Sequence, residues 1–576
     1  MSQHRIGTDR NQLQFSCLED LIAEDNIVRV IDAFVDILDF KTLGFAHLQP
    51  KKTGNPPYHP ALMLRIYLYG YLNRVRSSRK LETECTRNVE MQWLCNNQIP
   101  CYHTIATFRT HKETVVDDKT KVKTTFNHPK ALKEVFRSFN RFLDGEDLFG
   151  KETVATDGTK IRAQNSKKKN YSLDKLDKKI ALSDANIDKY IAELDAFDQS
   201  ESLDANQILL QTQAKAKLEE LKTWKNTFVE LKTELLKRQE ADPDVTQISQ
   251  TDPDARSIVV NNSGHAEVSF NVVTAVDDKH NLIAHFFTDN IKDTTLLAES
   301  LIATKAELDN CFDPNLHKNT EGVLVDDLDL TEKLDKKTTL NGLADKGFHA
   351  ATQIHQCKEA GIVTYVSVPN IAHSGKDKDF TLDNFIYNDQ KDHFTCPNNQ
   401  ALTTNGKWYE RKDRRGQFVQ RFKRYNMSPK TCANCPFADK CLSKNAVKNK
   451  VSRILERAEF QQASTENKQR LETYEGKLMY KKRQGIVEHP FGIIKRQWDC
   501  SYTLLRGLEK VNGEFAIIFT CYNLRRAVSI LSVKTLLERL KVAKTACLDL
   551  FYTLFIAFLS SAVKMTPKYY FRVSVA

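Results

Sequence analysis

Tyr480-Lys481-Lys482-Arg483-Gln484-Gly485-Ile486-Val487-Glu488-His489-Pro490-Phe491-Gly492-Ile493-Ile494-Lys495-Arg496-Gln497-Trp498 sets one carboxylate, Glu488, inside a strip of cations. Lys481, Lys482, Arg483, Lys495 and Arg496 surround it, and Tyr480, Phe491 and Trp498 supply aromatic rings. A lone acid in a basic strip can bind a divalent cation while its neighbours hold phosphates, a combination suited to phosphoryl transfer on nucleic acid. By itself the strip reads equally well as a solvated helix face with an ordinary salt bridge. Two other stretches answer to it.

The first is Thr153-Val154-Ala155-Thr156-Asp157-Gly158-Thr159-Lys160-Ile161-Arg162, a β-prone run that delivers Asp157 at its end, with Gly158 expected to turn the chain. The second is Leu340-Asn341-Gly342-Leu343-Ala344-Asp345-Lys346-Gly347-Phe348-His349, again a strand-like lead, then an acid, then a glycine and a helix start. A carboxylate at a strand end is held rigidly by its sheet, which metal coordination requires.

The 576 residues are enough for several cores, and 41% hydrophobic with 28% charged residues is ordinary for a folded soluble protein. The net charge of +11 points toward polyanions, and basic runs at 160–169, 411–424 and 481–483 lie close in sequence to the candidate chemistry. Thirteen cysteines and a polar start, Met1-Ser2-Gln3-His4-Arg5, fit a reducing cytosol. The apolar run from Ala546 to Val563 approaches spanning length but contains Asp549, so a packing helix is expected there rather than a membrane span.

Residues 1 to about 125 read as helical. Ile27, Val28, Val30, Ile31, Phe34, Val35 and Leu38 form one apolar stripe. Leu62, Leu64, Ile66, Tyr67, Tyr69 and Leu72 form another, with Arg65, Arg74, Arg76, Arg79 and Lys80 as exposed basic residues. Short helices at 81–95 and 104–112 complete a region compatible either with a helix-turn-helix reader of DNA or with a plain scaffold. From 173 to 239, two helical stripes predict an antiparallel pair serving as a spacer.

Val268, Phe270, Val272, Thr274 and Val276 alternate with smaller or polar neighbours, the clearest strand signal in the chain. A returning strand at 282–287, a helix at 293–308, an acidic loop around Asp326, Asp327 and Asp329, a helix at 350–360 and a strand at 363–368 predict a mixed sheet covered by helices. From 380 to about 453 the character changes. Cys396, Cys432, Cys435 and Cys441 suit a tetrahedral structural zinc that staples a loop-rich insertion lacking its own core; free thiols or a redox pair are the alternative.

With Asp157, Asp345 and Glu488 in view, the chain resembles the bacterial insertion-sequence transposases of the DDE type. The resemblance rests on Val-Ala-Thr-Asp157-Gly-Thr-Lys, Leu-Ala-Asp345-Lys-Gly-Phe-His and Val-Glu488-His-Pro-Phe-Gly-Ile-Ile-Lys495. Arg162-Ala-Gln-Asn-Ser-Lys-Lys-Lys-Asn-Tyr-Ser and Tyr522-Asn-Leu-Arg-Arg-Ala add to it, and it runs from about Asn26 to Leu531. The branch signature is Tyr, two residues, Arg, three residues, Glu, six residues, Lys. Tyr480, Arg483, Glu488 and Lys495 fit it, except that four residues separate Arg483 from Glu488.

The resemblance implies an α/β fold: a ribonuclease H-like mixed sheet flanked by helices, with an all-α N-terminal domain, a helical-hairpin insertion and a Cys-rich insertion. On that basis the expected domains are a DNA-binding region at 1–125 and a catalytic domain at 150–170, 250–375 and 475–531. A helical insertion at 171–245, a zinc-ribbon-like insertion at 376–455 and a variable helical tail at 532–576 complete the division. Asp157, Asp345 and Glu488 are then the catalytic ligands of two Mg²⁺ ions, for which Mn²⁺ can substitute. Lys160, Arg162, Lys167, Lys168, Lys169, Tyr480, Arg483, Lys495 and Arg496 are the expected DNA contacts. The implied partners are double-stranded DNA, both terminal inverted repeats and target, and a second copy of the chain. No membrane is implied, and the implied location is a bacterial cytoplasm, on the nucleoid when bound. Two alternatives stay open: a decayed or co-opted DNA-binding protein of this fold, and a metal-dependent nuclease without strand transfer.

Overall fold

The computed structural model describes residues 15–48, 56–116, 123–198, 205–241, 245–259, 266–291, 293–309, 339–368, 378–380, 384–412, 418–449 and 452–564. The acidic loop expected around Asp326 lies outside the described residues, as do the side chains beyond 545. The chain divides into two compact units: Met1–Leu148 with Gln497–Asp499 and Asn512–Ala576, and Phe149–Arg496 with Cys500–Val511.

In the first unit, α1 (Ile27–Asp36) starts where Asn26 accepts from the Val28 amide, and buries Val28, Val30, Ile31, Phe34 and Val35. α2 (Pro60–Leu72) begins at a proline, whose missing N–H would find no helical partner there anyway. It is buried on nearly every side, so it is the core helix of the unit. α3 (Ser78–Arg87), α4 (Val89–Leu94) and α5 (Tyr102–Phe108) follow.

The all-α expectation fails next. β1 (Lys112–Val116) and β2 (Lys123–Asn127) form an antiparallel hairpin, because Thr114, Val115, Val116, Thr124 and Thr125 are β-branched and favour the pleat over helix. α6 (His128–Gly145) packs an apolar stripe, and the C-terminal helix Leu508–Lys564 is interrupted at Ser532, whose φ of 69° is non-helical. A helix occupies the run 546–563, as expected. The segment Leu508–Thr545 is long and apolar enough to cross a membrane, yet over half of its most apolar window is buried inside the structure.

The arginines expected to be exposed for reading DNA are partly consumed by the fold. Arg65 pairs with Asp32 (2.7 Å) and Asp36 of α1. Arg76 is buried with Glu514 of the C-terminal helix, 2.9 Å away, and also donates to the Asp499 carbonyl.

The second unit is built on a six-stranded sheet. β3 (Thr153–Arg162) runs parallel to β9 (Leu340–Ala344), which runs parallel to β10 (Ile362–Val366). On its other side β3 is antiparallel to β7 (Ala266–Asp277), and β7 pairs with both β6 (Arg256–Val259) and β8 (Ile283–Asp289). The order β10-β9-β3-β7, extended by β6 and β8, is a mixed sheet. α9 (Leu297–Asp309) and α10 (Ala351–Glu359) follow β8 and β9 in sequence, and α14 (Gln461–Glu472) leads into α15 (Tyr474–Phe491). Between β3 and β6 the chain leaves through the short pair β4 (Asn170–Tyr171) and β5 (Ile248–Ser249), carrying α7 (Leu173–Asp198) and α8 (Ala205–Ala241). The ion pairs Lys225–Asp184 and Lys232–Asp177 show that α7 and α8 are antiparallel, since one partner number rises as the other falls.

The Cys-rich segment differs from its expectation. It holds a five-stranded antiparallel sheet, β11 (Ile386–Asn388), β12 (His393–Thr395), β13 (Ala401–Lys412), β14 (Phe418–Asn426) and β15 (Ile454–Ala458), with short helices α11 (Pro429–Ala433), α12 (Ala438–Cys441) and α13 (Lys444–Lys448). Phe385, Phe394, Leu402, Tyr425 and Leu455 form its own apolar core, so cysteine staples are not its sole support.

Candidate active site

Asp157 sits in the middle of β3, not at its end, because the strand runs unbroken through Gly158 to Arg162. The glycine is needed for a different reason. A Cβ at 158 would stand 2.2 Å from Asp293 Oδ1 and 2.9 Å from Asn271 Oδ1. Successive strand residues point to opposite faces, so Gly158 and Lys160 share one face while Asp157 looks to the other.

On the Gly158 face, Lys160 Nζ donates to both oxygens of Asp293 and to Asn271 Oδ1, each at 2.8 Å. Asn271 Nδ2 donates to Asp293 Oδ1 at 2.7 Å. Lys160, expected as a DNA contact, is thus held by Asp293 and Asn271. Sequence reading passed over Asp293 and Asn271 because an Asp-Thr-Thr helix start and an asparagine in an alternating strand look ordinary.

On the opposite face, Arg483 of α15 places Nη1 3.9 Å from Asp157 Oδ2. Asp345 follows β9, the parallel neighbour of β3, and accepts from the Gly347 amide at 2.7 Å. Burial, then the charge of Asp345, push the Asp157 carboxyl up to about 6, while Arg483 and the Gly158 amide oppose the rise. Lys495 shares the same region: its Nζ donates to the Lys160 carbonyl at 3.3 Å. Burial lowers the Lys495 pKa, partly offset by the attraction of Asp157.

Glu488 stands apart. Its side chain is exposed and accepts from Gln484 Nε2 at 2.9 Å. Among the described residues, the oxygens of Asp157, Asp345 and Glu488 do not all gather within 4.8 Å. The reason lies in helix arithmetic: at about 100° per residue, five residues put Glu488 roughly 140° around α15 from Arg483. The sheet-facing stripe of that helix is Arg483, Ile486, Val487 and Pro490. Pro490 cannot donate to the carbonyl one turn back, and the helix continues as a π-helical segment, Gly492–Gln497, which carries Lys495.

Of the remaining expected contacts, Lys168, Lys169 and Arg496 are exposed, and Tyr480 is half-buried. Arg162 stacks over Tyr502, 5.7 Å from the ring centre. The side chain of Lys167 is outside the described set.

The four cysteines converge. Cys396, Cys432, Cys435 and Cys441 line one apolar cavity of about 40 Å³. The Gln400 amide points at Cys396 Sγ (3.4 Å), Asn398 Nδ2 at Cys435 Sγ (3.5 Å) and the Arg453 amide at Cys432 Sγ (3.4 Å). Donors aimed at sulfur stabilise thiolates, the form that ligates metal.

Comparison with protein families supplies the decision. Residues 16–111 match a family described as "Transposase domain (DUF772)", and residues 395–528 match a "Transposase DDE domain". The two matches support an insertion-sequence transposase of the DDE type. No match was found among curated proteins or among solved structures. As a transposase it acts on DNA. The DDE match takes in the cysteine cluster, α15 with Glu488, and Lys495.

Proposed function

We propose that the transposase cuts DNA at the terminal repeats of its element and joins the freed ends to a target by metal-dependent phosphoryl transfer. The observation that carries this reading is the neighbouring pair Asp157 and Asp345. The two carboxylates come from adjacent parallel strands, and the charge of Asp345 adds to the rise of the Asp157 carboxyl, with Arg483 as the facing counter-charge. Oxygen donors in that setting fit a hard divalent ion such as Mg²⁺, with Mn²⁺ as a substitute. Such ions would activate a water or a DNA 3′-hydroxyl and stabilise the leaving oxygen.

The strand order and directions of the sheet support a ribonuclease H-like catalytic core. Glu488 enters the proposal through its place in the Tyr480, Arg483, Glu488, Lys495 series, and would join the two aspartates by a movement of α15. The π-helical segment after Pro490 offers a place for that movement. Lys495, held beside Asp157, would stabilise charge on the reacting phosphate. Arg162, Lys168, Lys169, Tyr480, Arg483 and Arg496 would position the DNA backbone, with Lys160 acting indirectly by fixing β3 against Asp293. The four cysteines would hold a structural zinc. Two DNA ends call for two active sites, so a homodimer on DNA is part of the reading, as is action on the nucleoid in the cytoplasm.

The test is a cleavage and joining assay on a terminal repeat with Asp157→Ala, Asp345→Ala and Glu488→Ala. Loss of Mg²⁺-dependent cleavage with retained end binding is expected from each. Full cleavage by all three variants would discard the assignment. Cleavage without joined product in the wild type would favour the nuclease alternative.

A further inference from the structure

Within the first unit, His47, His111 and Glu113 bring two imidazoles and one carboxylate together, with their ligand atoms all within 4.8 Å of one another. The chemistry of the active site makes no use of them. His111 precedes β1 and Glu113 is its second residue, so alternation along the extended chain puts both side chains on one face. His47 reaches them from the segment after Ala46, with a φ of 64°, in the left-handed region that few side chains adopt.

His111 Nε2 lies 3.3 Å from Glu113 Oε2. Two atoms bound to one tetrahedral zinc at about 2.0–2.1 Å stand roughly 3.3 Å apart, so this pair already has the spacing of one edge of such a site. The same nitrogen is sealed from solvent and makes no hydrogen bond among the described residues. A buried ring nitrogen that makes no hydrogen bond calls for some other partner. A charged His111–Glu113 ion pair takes up two of the three groups, and the His47 ring stands beside them, 4.7 Å from that of His111.

The support behind these residues is ordered. His128 receives the Ala46 amide on Nε2 (3.1 Å), shares a hydrogen bond between Nδ1 and the Phe108 carbonyl (2.7 Å), and donates its own amide to the His111 carbonyl (3.0 Å). With both ring nitrogens engaged it is no ligand. It does anchor the chain next to His47 and at His111, which is how supporting residues pre-position metal ligands.

We propose that His47, His111 and Glu113 form a binding site for a zinc-class transition ion, with a fourth position left for water or another ligand. Two imidazoles select such an ion over Mg²⁺ or Ca²⁺. The ion would fasten the segment after α1 to the β1–β2 hairpin. The proposal stands independently of the cysteine cluster and of the DNA chemistry.

Full-length protein stripped with a chelator is titrated with Co²⁺ and then Zn²⁺. Cobalt held by nitrogen and oxygen gives weak visible bands without the intense thiolate-to-cobalt absorption that a cysteine site produces, so the two sites are read separately in one sample. The wild type should show the nitrogen–oxygen signal and bind one zinc at it. His47→Asn, which tolerates the left-handed backbone, and Glu113→Gln, at an exposed position, should weaken that uptake at least tenfold. Both should keep the thiolate signal and the melting temperature of the stripped wild type, losing only the zinc-dependent rise. Absence of the nitrogen–oxygen signal in the wild type, or unchanged uptake in both variants, overturns the site.

Discussion

Arg483 Nη1 stands 3.9 Å from Asp157 Oδ2, a cation facing the carboxylate that burial and Asp345 push up to about 6. The guanidinium therefore holds down the pKa of an acid that, as the proposed metal ligand, would act ionised. Replacing Arg483 with Gln should move the acidic limb of the pH–rate profile for Mg²⁺-dependent cleavage upward, by about half to one unit for a single partly solvated charge. A profile displaced in amplitude alone would assign Arg483 to DNA contact instead.

Asp157 itself links stability to pH. Its folded pKa is raised, so the protonated form favours the folded state. That contribution is fully present below the unfolded value near 3.8 and is lost as pH rises through about 6. Asp157→Asn, which never ionises, should melt higher than the wild type at pH 8, by an amount on the order of 2 kcal/mol. The difference should shrink through that window and vanish near pH 3.5. Thermal melts across pH, without divalent metal, check both sign and window.

Gly158→Ala places a methyl group where Asp293 Oδ1 now sits, at 2.2 Å. The carboxylate has to leave Lys160 or β3 has to shift beside Asp157. A loss of about 1–3 kcal/mol is expected from overpacking of this kind. Cleavage should fall with it, because Asp157, the adjacent residue, is the proposed metal ligand. Urea unfolding monitored alongside cleavage separates the two effects, and an unaffected enzyme would show that the Asp293 layer is loosely held.

Glu514 is fully buried against Arg76, which is 8% exposed. Removing the carboxylate takes the ion-pair partner from a buried guanidinium, so Glu514→Gln should cost about 3–5 kcal/mol. The double variant Arg76→Met, Glu514→Leu should recover much of that loss. Equal destabilisation in the single and double variants would mean that packing, not charge, dominates the pair.

Chelation tests the cysteine cavity. Cys435→Ser should lower bound zinc by one per chain and lower the melting temperature while leaving end binding intact. Zinc content equal to wild type would show that the four sulfurs share a cavity without sharing an ion.

The residue pattern alone determined the elements whose signal is local. Alternation from Val268 to Val276 announced β7, a period of two being readable without any neighbour, and the helical stripes announced α1, α2, α7 and α8. The acids after strand-like leads pointed to Asp157 and Asp345, and the cysteine spacing pointed to four residues that line one cavity.

Tertiary structure decided what depends on partners far along the chain. Asp157-Gly158 looks like a turn until β7 pairs with β3 from Val154 to Arg162 and carries the strand through it. Arg65, Arg76 and Lys160 look like free cations until Asp32, Glu514 and Asp293 claim them. Glu488 and Arg483 lie only five positions apart in sequence, yet helix rotation sends one to solvent and the other to Asp157. Likewise His47 and His111 are 64 positions apart, and only packing around His128 sets them ring to ring. Propensity and periodicity are properties of a segment, whereas charge pairing, ligand convergence and the facing of a helix are fixed when the segments pack.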